Sequence, residues 1–129
     1  MRRDFELIRQ ILLRVEDTDK ATNVLDLGLD EHPFPALARH VELLEEAGLV
    51  KAQIAWNDAS GSPIYVQVER LTWAGHEFLD DARSHEVWQH ATDTISARGG
   101  SASFALLREL VTQAARHRLG LPTERASVT

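Results

Sequence analysis

The residues best suited to chemistry are a histidine and three carboxylates at helical spacing in the middle of the chain. His76 and Glu77 are followed one turn later by Asp80, with Asp81 next to it. Imidazole and carboxylate groups on one side of a helix can bind a metal ion or transfer protons. The zinc-peptidase motif requires a second histidine four residues after the first, but that position holds Asp80. The spacing therefore favours a structural role for this segment over a metal site.

Other arrangements that support catalysis are missing from the sequence. The chain has no cysteine, which excludes disulfides, cysteine-based zinc sites and thiol nucleophiles. The Gly99-Gly100-Ser101 segment lacks the spacing and the lysine of a phosphate-binding loop, and no serine lies in a nucleophile elbow. The remaining histidines show no ligand spacing. We therefore expect a protein that is not an enzyme and that holds neither a metal nor a cofactor.

The distribution of charge bears on nucleic-acid binding. The 129 residues include 14 basic and 20 acidic side chains, for a net charge of −6. Residues 17–50 carry two basic and eight acidic side chains. Nucleic-acid binders usually present a basic stripe, because the neutralised phosphates release counterions and dominate the affinity. The acidic middle of the chain therefore argues against strong, sequence-independent DNA binding.

Length and composition predict one folded domain over residues 1–122, followed by a frayed tail over residues 123–129. The chain is 43% hydrophobic and 26% charged, which is typical of a globular protein. The N-terminus runs directly into a charged amphipathic pattern, and no apolar run is long enough to span a membrane. We therefore expect a cytoplasmic protein with no membrane partner.

Hydrophobic periodicity predicts helices over 3–16 and 35–47, a β-hairpin over 50–56 and 64–72, and helices from residue 73 to about 119. Residues 23–30 leave two alternatives, a short strand or a short helix over 19–27 that ends at Gly28. The segment after Trp73 is one long bent helix or two helices, with Ser84 starting the second. The predicted fold class is α+β: helix, short strand, helix, hairpin, and a C-terminal two-helix extension.

The helix that ends at Ala47-Gly48 and leads directly into the hairpin resembles the third helix and wing of winged-helix regulators. Examples are the arsenic-repressor-like and multiple-antibiotic-resistance-like families. In those families the helix enters the major groove, and the wing touches the DNA backbone or minor groove. This sequence departs from the pattern in lacking a convincing second helix, and its wing loop contains no lysine or arginine.

The resemblance implies a set of DNA-contacting residues on the helix, the wing and the N-terminus. They are Ala36, Arg39 and His40 on the helix, Lys51, Ser60 and Ser62 on the hairpin, and Arg2, Arg3 and Arg9 at the N-terminus. Arg39 and His40 are expected to be exposed and to approach bases. An Arg39→Ala change is expected to weaken DNA binding without changing stability, because an exposed position contributes little to folding.

A second resemblance covers most of the chain. The segments that carry it are 2–13, 40–50, the Leu-Thr-Trp-x-Gly-His-Glu-Phe-Leu block at 71–79, and Gly99-Gly100-Ser101. Together they resemble a family of small bacterial and prophage proteins catalogued as a domain of unknown function. The resemblance implies a winged-helix-like fold and a setting in a phage or mobile element. Within the block, we expect Gly75 to allow close approach of another segment, and Trp73 and Phe78 to pack where the hairpin meets the helix.

The last helix carries a wide apolar stripe that suits a protein contact. Its predicted dimer-interface residues are Phe104, Leu107, Leu110, Val111 and Ala114. Packing within the chain competes equally with dimerisation. The leading functional hypothesis is a homodimeric DNA-binding or transcription-regulatory protein, whose partner is duplex DNA. The alternative is a protein–protein interaction module of the same fold, which the acidic segment 17–50 and the exposed Leu43 fit better.

Overall fold

The structure is a computed structural model of the chain, and it describes residues 1–122. The tail predicted over 123–129 lies outside the described residues. The chain divides into two compact units, of which the first is Met1–Leu79 and the second begins at Asp80. We call the first the winged-helix-like unit and the second the helical unit. No helix within residues 1–122 combines the length and the apolar character needed to cross a bilayer.

The winged-helix-like unit combines helices with one three-stranded antiparallel sheet of order β1-β3-β2. Its elements are α1 (Phe5–Glu16), β1 (Thr22–Asn23), a 3-10 turn (Val24–Asp26), α2 (Phe34–Glu46), β2 (Val50–Trp56), β3 (Pro63–Leu71) and the start of α3 (Trp73–Ala82). The predicted α+β fold class is confirmed, and the order of its elements is consistent with a winged-helix-like domain.

Helices α1 and α2 form because each has a cap and one continuous apolar face. The Asp4 carboxylate accepts a hydrogen bond from the Leu7 N–H at 3.1 Å, which starts α1. Gly48, at φ +78°, ends α2 in the left-handed conformation that glycine adopts most readily. The buried core positions of the two helices are Leu7, Ile8, Ile11, Leu12, Val15, Leu37, Ala38, Val41 and Leu44.

The segment 23–30 differs from the favoured prediction of a strand. Only Thr22–Asn23 pairs with β3, opposite Val68 and Gln67. The Asn23 side chain then accepts a hydrogen bond from the Leu25 N–H at 2.9 Å, and this contact turns the chain into the 3-10 helix. Leu25 is consequently 53% exposed and does not share a face with its buried neighbours Leu27 and Leu29.

The hairpin agrees with its prediction. β2 and β3 pair from Val50 opposite Leu71 to Trp56 opposite Pro63. In the connecting loop, the Asn57 side chain accepts hydrogen bonds from the Ala59 and Ser60 N–H groups, so the turn has its own internal support.

The helical unit contains the end of α3, then α4 (His85–Ala97) and α5 (Phe104–Arg118). The Ser84 hydroxyl accepts from the Val87 N–H, so the alternative with a separate helix starting at Ser84 is the right one. Ser103 caps α5 in the same way, by accepting from the Leu106 N–H at 3.1 Å. The core-facing residues of α4 and α5 are Val87, Trp88, Ala91, Ile95, Leu107 and Val111.

Candidate interaction surface of the winged-helix-like unit

Arg39 lies on the exposed side of α2, but its guanidinium is engaged by the wing. Its Cζ is 4.3 Å from the centre of the Trp56 ring, a distance typical of a cation–π contact. One nitrogen donates to the Gly61 carbonyl at 3.3 Å and another pairs with Glu42 at 3.1 Å. The side chain therefore connects the helix to the hairpin, and these contacts lead us to expect a contribution of Arg39 to stability that the sequence did not indicate.

His40 is 2% exposed, so the prediction that it is exposed and approaches bases is wrong. Its Nε2 accepts a hydrogen bond from the Asp4 N–H at 2.9 Å, and Nδ1 lies 2.7 Å from the Ala36 carbonyl oxygen. Because Nε2 accepts, the hydrogen is on Nδ1, which donates to Ala36. His40 consequently ties the start of α1 to α2. Ala36, another predicted contact, is half-buried and supplies the accepting carbonyl.

The three N-terminal arginines do not form one basic surface. Arg9 is only 8% exposed and lies 3.7 Å from the Glu6 carboxylate, so its predicted phosphate contact is also wrong. Arg2 and Arg3 are exposed before α1, and Arg3 stands 5.3 Å from the ring centre of Phe5. Of the three, only Arg2 and Arg3 remain accessible to a partner.

On the hairpin, Lys51, Ser60 and Ser62 are exposed as the resemblance implies. Lys51, however, lies five residues before Trp56 in β2, which at the usual rise of a strand separates it from the Arg39 contact by about 17 Å. In the hairpin register Lys51 lies opposite Arg70 of β3, and both are exposed. The exposed basic residues of α2 and the hairpin therefore lie in two places, with Arg39 near the hairpin loop and Lys51 with Arg70 at the opposite end of the hairpin.

An exposed tryptophan marks a different part of this unit. Trp73 is 80% exposed at the first position of α3, so the prediction that it packs under the hairpin is wrong, although Phe78 is buried. The residues that face the core, Gly75 and Phe78 among them, follow a three- and four-residue spacing that places Trp73 on the opposite side of the helix. That spacing is the sequence signal by which the exposure of Trp73 could have been found.

The start of α3 is fixed firmly to the end of α2. The Thr72 N–H donates to the Leu49 carbonyl at 3.0 Å, and the Thr72 hydroxyl donates to the Gly48 carbonyl and accepts from the Gly75 N–H. A Cβ on Gly75 would lie 2.0 Å from the Leu49 oxygen, which confirms the expected close approach. Thr72, the residue before Trp73, is thereby anchored to Gly48 and Leu49, the residues that follow α2.

An acidic residue lies on the same side of α3 as Trp73. Glu77 is exposed one turn after Trp73. We call Trp73 together with Glu77 the tryptophan surface. An exposed apolar ring with a carboxylate one turn away can hold a segment that combines basic and apolar side chains.

The candidate acid–base set does not come together as a site. His76, Glu77 and Asp80 are all exposed on α3. Within residues 1–122, no three histidine, aspartate or glutamate side chains are grouped so that they could hold a metal ion.

The predicted dimer-interface residues of α5 divide into two sets. Leu107 and Val111 are fully buried within the chain, so their assignment to an exposed interface is wrong. Phe104, Leu110 and Ala114 are half-buried. The core therefore uses only the central residues of the apolar stripe, and the residues at its edges stay partly exposed.

Comparison with known proteins gives a family and one relative. The model of a family described as "Hypothetical protein (DUF2513)" matches residues 2–101. The chain is also similar to an uncharacterised protein of Haemophilus influenzae, with 31% identity over 111 residues that cover 85% of this chain and 92% of that protein. No solved structure matches the chain.

Proposed function

The chain belongs to the DUF2513 family of hypothetical proteins, in agreement with the expected membership of a domain of unknown function, and we propose that its winged-helix-like unit binds a protein partner. The partner presents a basic segment, and the tryptophan surface receives it. The observation that carries this proposal is the 80% exposure of Trp73 on a helix start that Thr72 and Gly75 hold in place. Tryptophans fixed in this way are enriched among the residues that dominate protein–protein affinity.

The charge of the unit supports a basic partner. Residues 1–79 contain eight basic and 14 acidic side chains, a balance of −6, whereas residues 80–129 contain six of each. The whole net charge of the chain therefore belongs to the unit that carries Trp73. Such a field speeds the approach of a basic protein segment and opposes the approach of DNA phosphates.

DNA binding by the winged-helix-like unit is the competing hypothesis. It is weakened because several of the residues predicted to contact DNA are buried or held by other residues of the unit. His40 and Arg9 are buried, and Arg39 is held by Trp56, Gly61 and Glu42. The remaining exposed contacts are Arg2, Arg3, Lys51 and the two wing serines. A regulatory role and a setting in a phage or mobile element stay predictions from the sequence.

The first test is fluorescence anisotropy with random duplex DNA at low and moderate salt. A partner-binding module of this charge is expected to leave the anisotropy unchanged even at low salt. Binding that weakens steeply as salt rises would reveal several neutralised phosphates and would overturn the proposal in favour of DNA.

The second test places a photo-crosslinking phenylalanine analogue at position 73 in cells that naturally make the protein. The expected result is one discrete protein adduct, which mass spectrometry then identifies and whose crosslinked segment is basic. The matched control carries the same analogue at Ile64, which is 61% exposed at the other end of β3 and is expected to give no such adduct. Adducts to nucleic acid, or the same adducts from both positions, would contradict the proposal.

A further inference from the structure

Two neighbouring cavities lie along the α4–α5 hairpin of the helical unit, and we call them together the furrow. One part of the furrow is a cavity of about 430 Å³ lined by the start of α4 and the end of α5, including His90 and His117. The other part is a cavity of about 220 Å³ lined by the end of α4 and the start of α5, including Thr94 and Leu106. Leu110 and Gln113 line both cavities, so the two parts meet at the middle of α5.

The residues along the furrow recur at helical spacing. On α4 they are Glu86, His90 and Thr94, with Arg98 directly after the helix, and on α5 they are Leu106, Leu110, Gln113 and His117. Positions three and four apart lie on one side of a helix, so each helix contributes one straight edge. Leu106 is 44% exposed and Leu110 is half-buried, so apolar surface is available between these edges. A groove of this kind fits another pair of helices.

The charges at the two ends of the furrow are complementary, so opposite charges meet when two copies face each other across a two-fold axis. Glu86 and Arg118, which pair at 3.1 Å, stand at one end, and Arg98 and Glu109 line the other. A two-fold axis that lies between two facing furrows, runs at right angles to the helices and passes beside Gln113 places the first end of one copy on the second end of the other. Glu86 then faces Arg98 of the second copy, and Arg118 faces Glu109 of the second copy. Both contacts join opposite charges.

From this arrangement we infer that the furrow is the interface of a homodimer, in which two α4–α5 hairpins form a four-helix bundle. The interface lies along the furrow and uses Leu106, Leu110 and Gln113, and thus differs from the buried line of Leu107 and Val111. Within the described part of the helical unit, five basic and five acidic side chains balance, so no net charge opposes the meeting of two copies. This inference is independent of the function proposed for the winged-helix-like unit.

The absence of cysteine from the sequence allows a direct test by single-cysteine crosslinking. A residue beside a two-fold axis lies close to the same residue of the second copy. A disulfide between the two forms only when their Cα atoms are within about 7 Å. Gln113→Cys is therefore expected to give a covalent dimer under mild oxidation. Arg108→Cys, which is exposed on the same helix but outside the furrow, is the matched control and is expected to stay monomeric on a non-reducing gel.

Sedimentation of the unmodified protein gives the second readout, with an expected mass of twice the 14.5 kDa chain. Arg98→Glu brings like charges together twice in a symmetric dimer and is expected to raise the dimer dissociation constant by about tenfold or more. Adding Glu86→Arg to that variant restores opposite charges and is expected to recover much of the affinity. A monomer at all concentrations, equal crosslinking at 108 and 113, or no recovery in the double variant would overturn the inference.

Discussion

The guanidinium of Arg39 on α2 lies over the ring of Trp56 on β2, with 4.3 Å between Cζ and the ring centre. The same side chain donates to the Gly61 carbonyl in the hairpin loop. These two contacts fix the loop end of the hairpin against the middle of α2. An arginine that looks available for a ligand in the sequence is thus part of the connection between helix and wing.

Arg39→Ala is expected to lower the free energy of unfolding by about 1 kcal/mol, since a partly exposed cation–π contact and a surface ion pair each contribute a fraction of that amount. The measurement is urea unfolding, read as a lower midpoint at unchanged slope. Arg39→Lys keeps the charge but loses the planar fork, so an intermediate midpoint is expected. An unchanged midpoint in both variants would show that the contact with Trp56 has no energetic weight.

His40→Ala is expected to destabilise the protein by about 2–4 kcal/mol, because it removes a buried ring and leaves the Asp4 N–H and the Ala36 carbonyl without their partner. Thermal and urea unfolding both report this loss. His76→Ala removes an exposed histidine and serves as the control, with an expected change within about 0.5 kcal/mol. Equal effects of the two substitutions would contradict a structural role for His40.

Two glycines near the end of α2 allow a comparison of steric and conformational cost. Gly75→Ala places a Cβ 2.0 Å from the Leu49 oxygen, so α3 must shift, and the expected cost is about 3 kcal/mol or more. Gly48→Ala meets no atom within 4 Å but requires alanine at φ +78°, for an expected cost of about 1 kcal/mol. Unfolding midpoints of the two variants give the order, and the reverse order would mean that the close approach of α3 relaxes easily.

The elements with strong periodicity were predictable from the sequence, and the contacts between elements were not. Helices α1 and α2 and the hairpin lie within about two residues of their predicted bounds, because each has a repeating apolar face and a turn or cap at its end. The strand predicted over 23–30 failed because one local hydrogen bond, from Leu25 to Asn23, outweighs a short alternation of leucines.

The candidate site was predicted less well than the fold for a related reason. Arg39 and His40 are neighbours in the sequence, and the apolar positions of α2 alone do not tell which of them faces α1. Only the position of Asp4, 36 residues earlier, makes His40 a buried partner. The exposure of Trp73 was likewise missed, because a tryptophan is usually part of a core. The spacing from Gly75 to Phe78 places Trp73 on the side of α3 that faces away from the core.

The exposure of Trp73 predicts a spectroscopic result that needs no partner. Trp73 is 80% exposed and Trp88 is 2% exposed, while Trp56 is half-buried under Arg39. Trp73→Ala is therefore expected to shift the remaining fluorescence to shorter wavelengths and to lower its quenching by acrylamide. Its free energy of unfolding is expected to change by no more than about 0.5 kcal/mol, because little buried area is lost.

Trp88→Ala is the matched comparison, because it removes the same side chain from a buried position. Its expected cost is about 3–5 kcal/mol, with a cavity left between neighbouring side chains. A red shift in Trp73→Ala, or a loss of stability similar to that of Trp88→Ala, would show that Trp73 is covered in solution. In that case the tryptophan surface would not be open to a partner, and the proposed basic segment would have no place to bind.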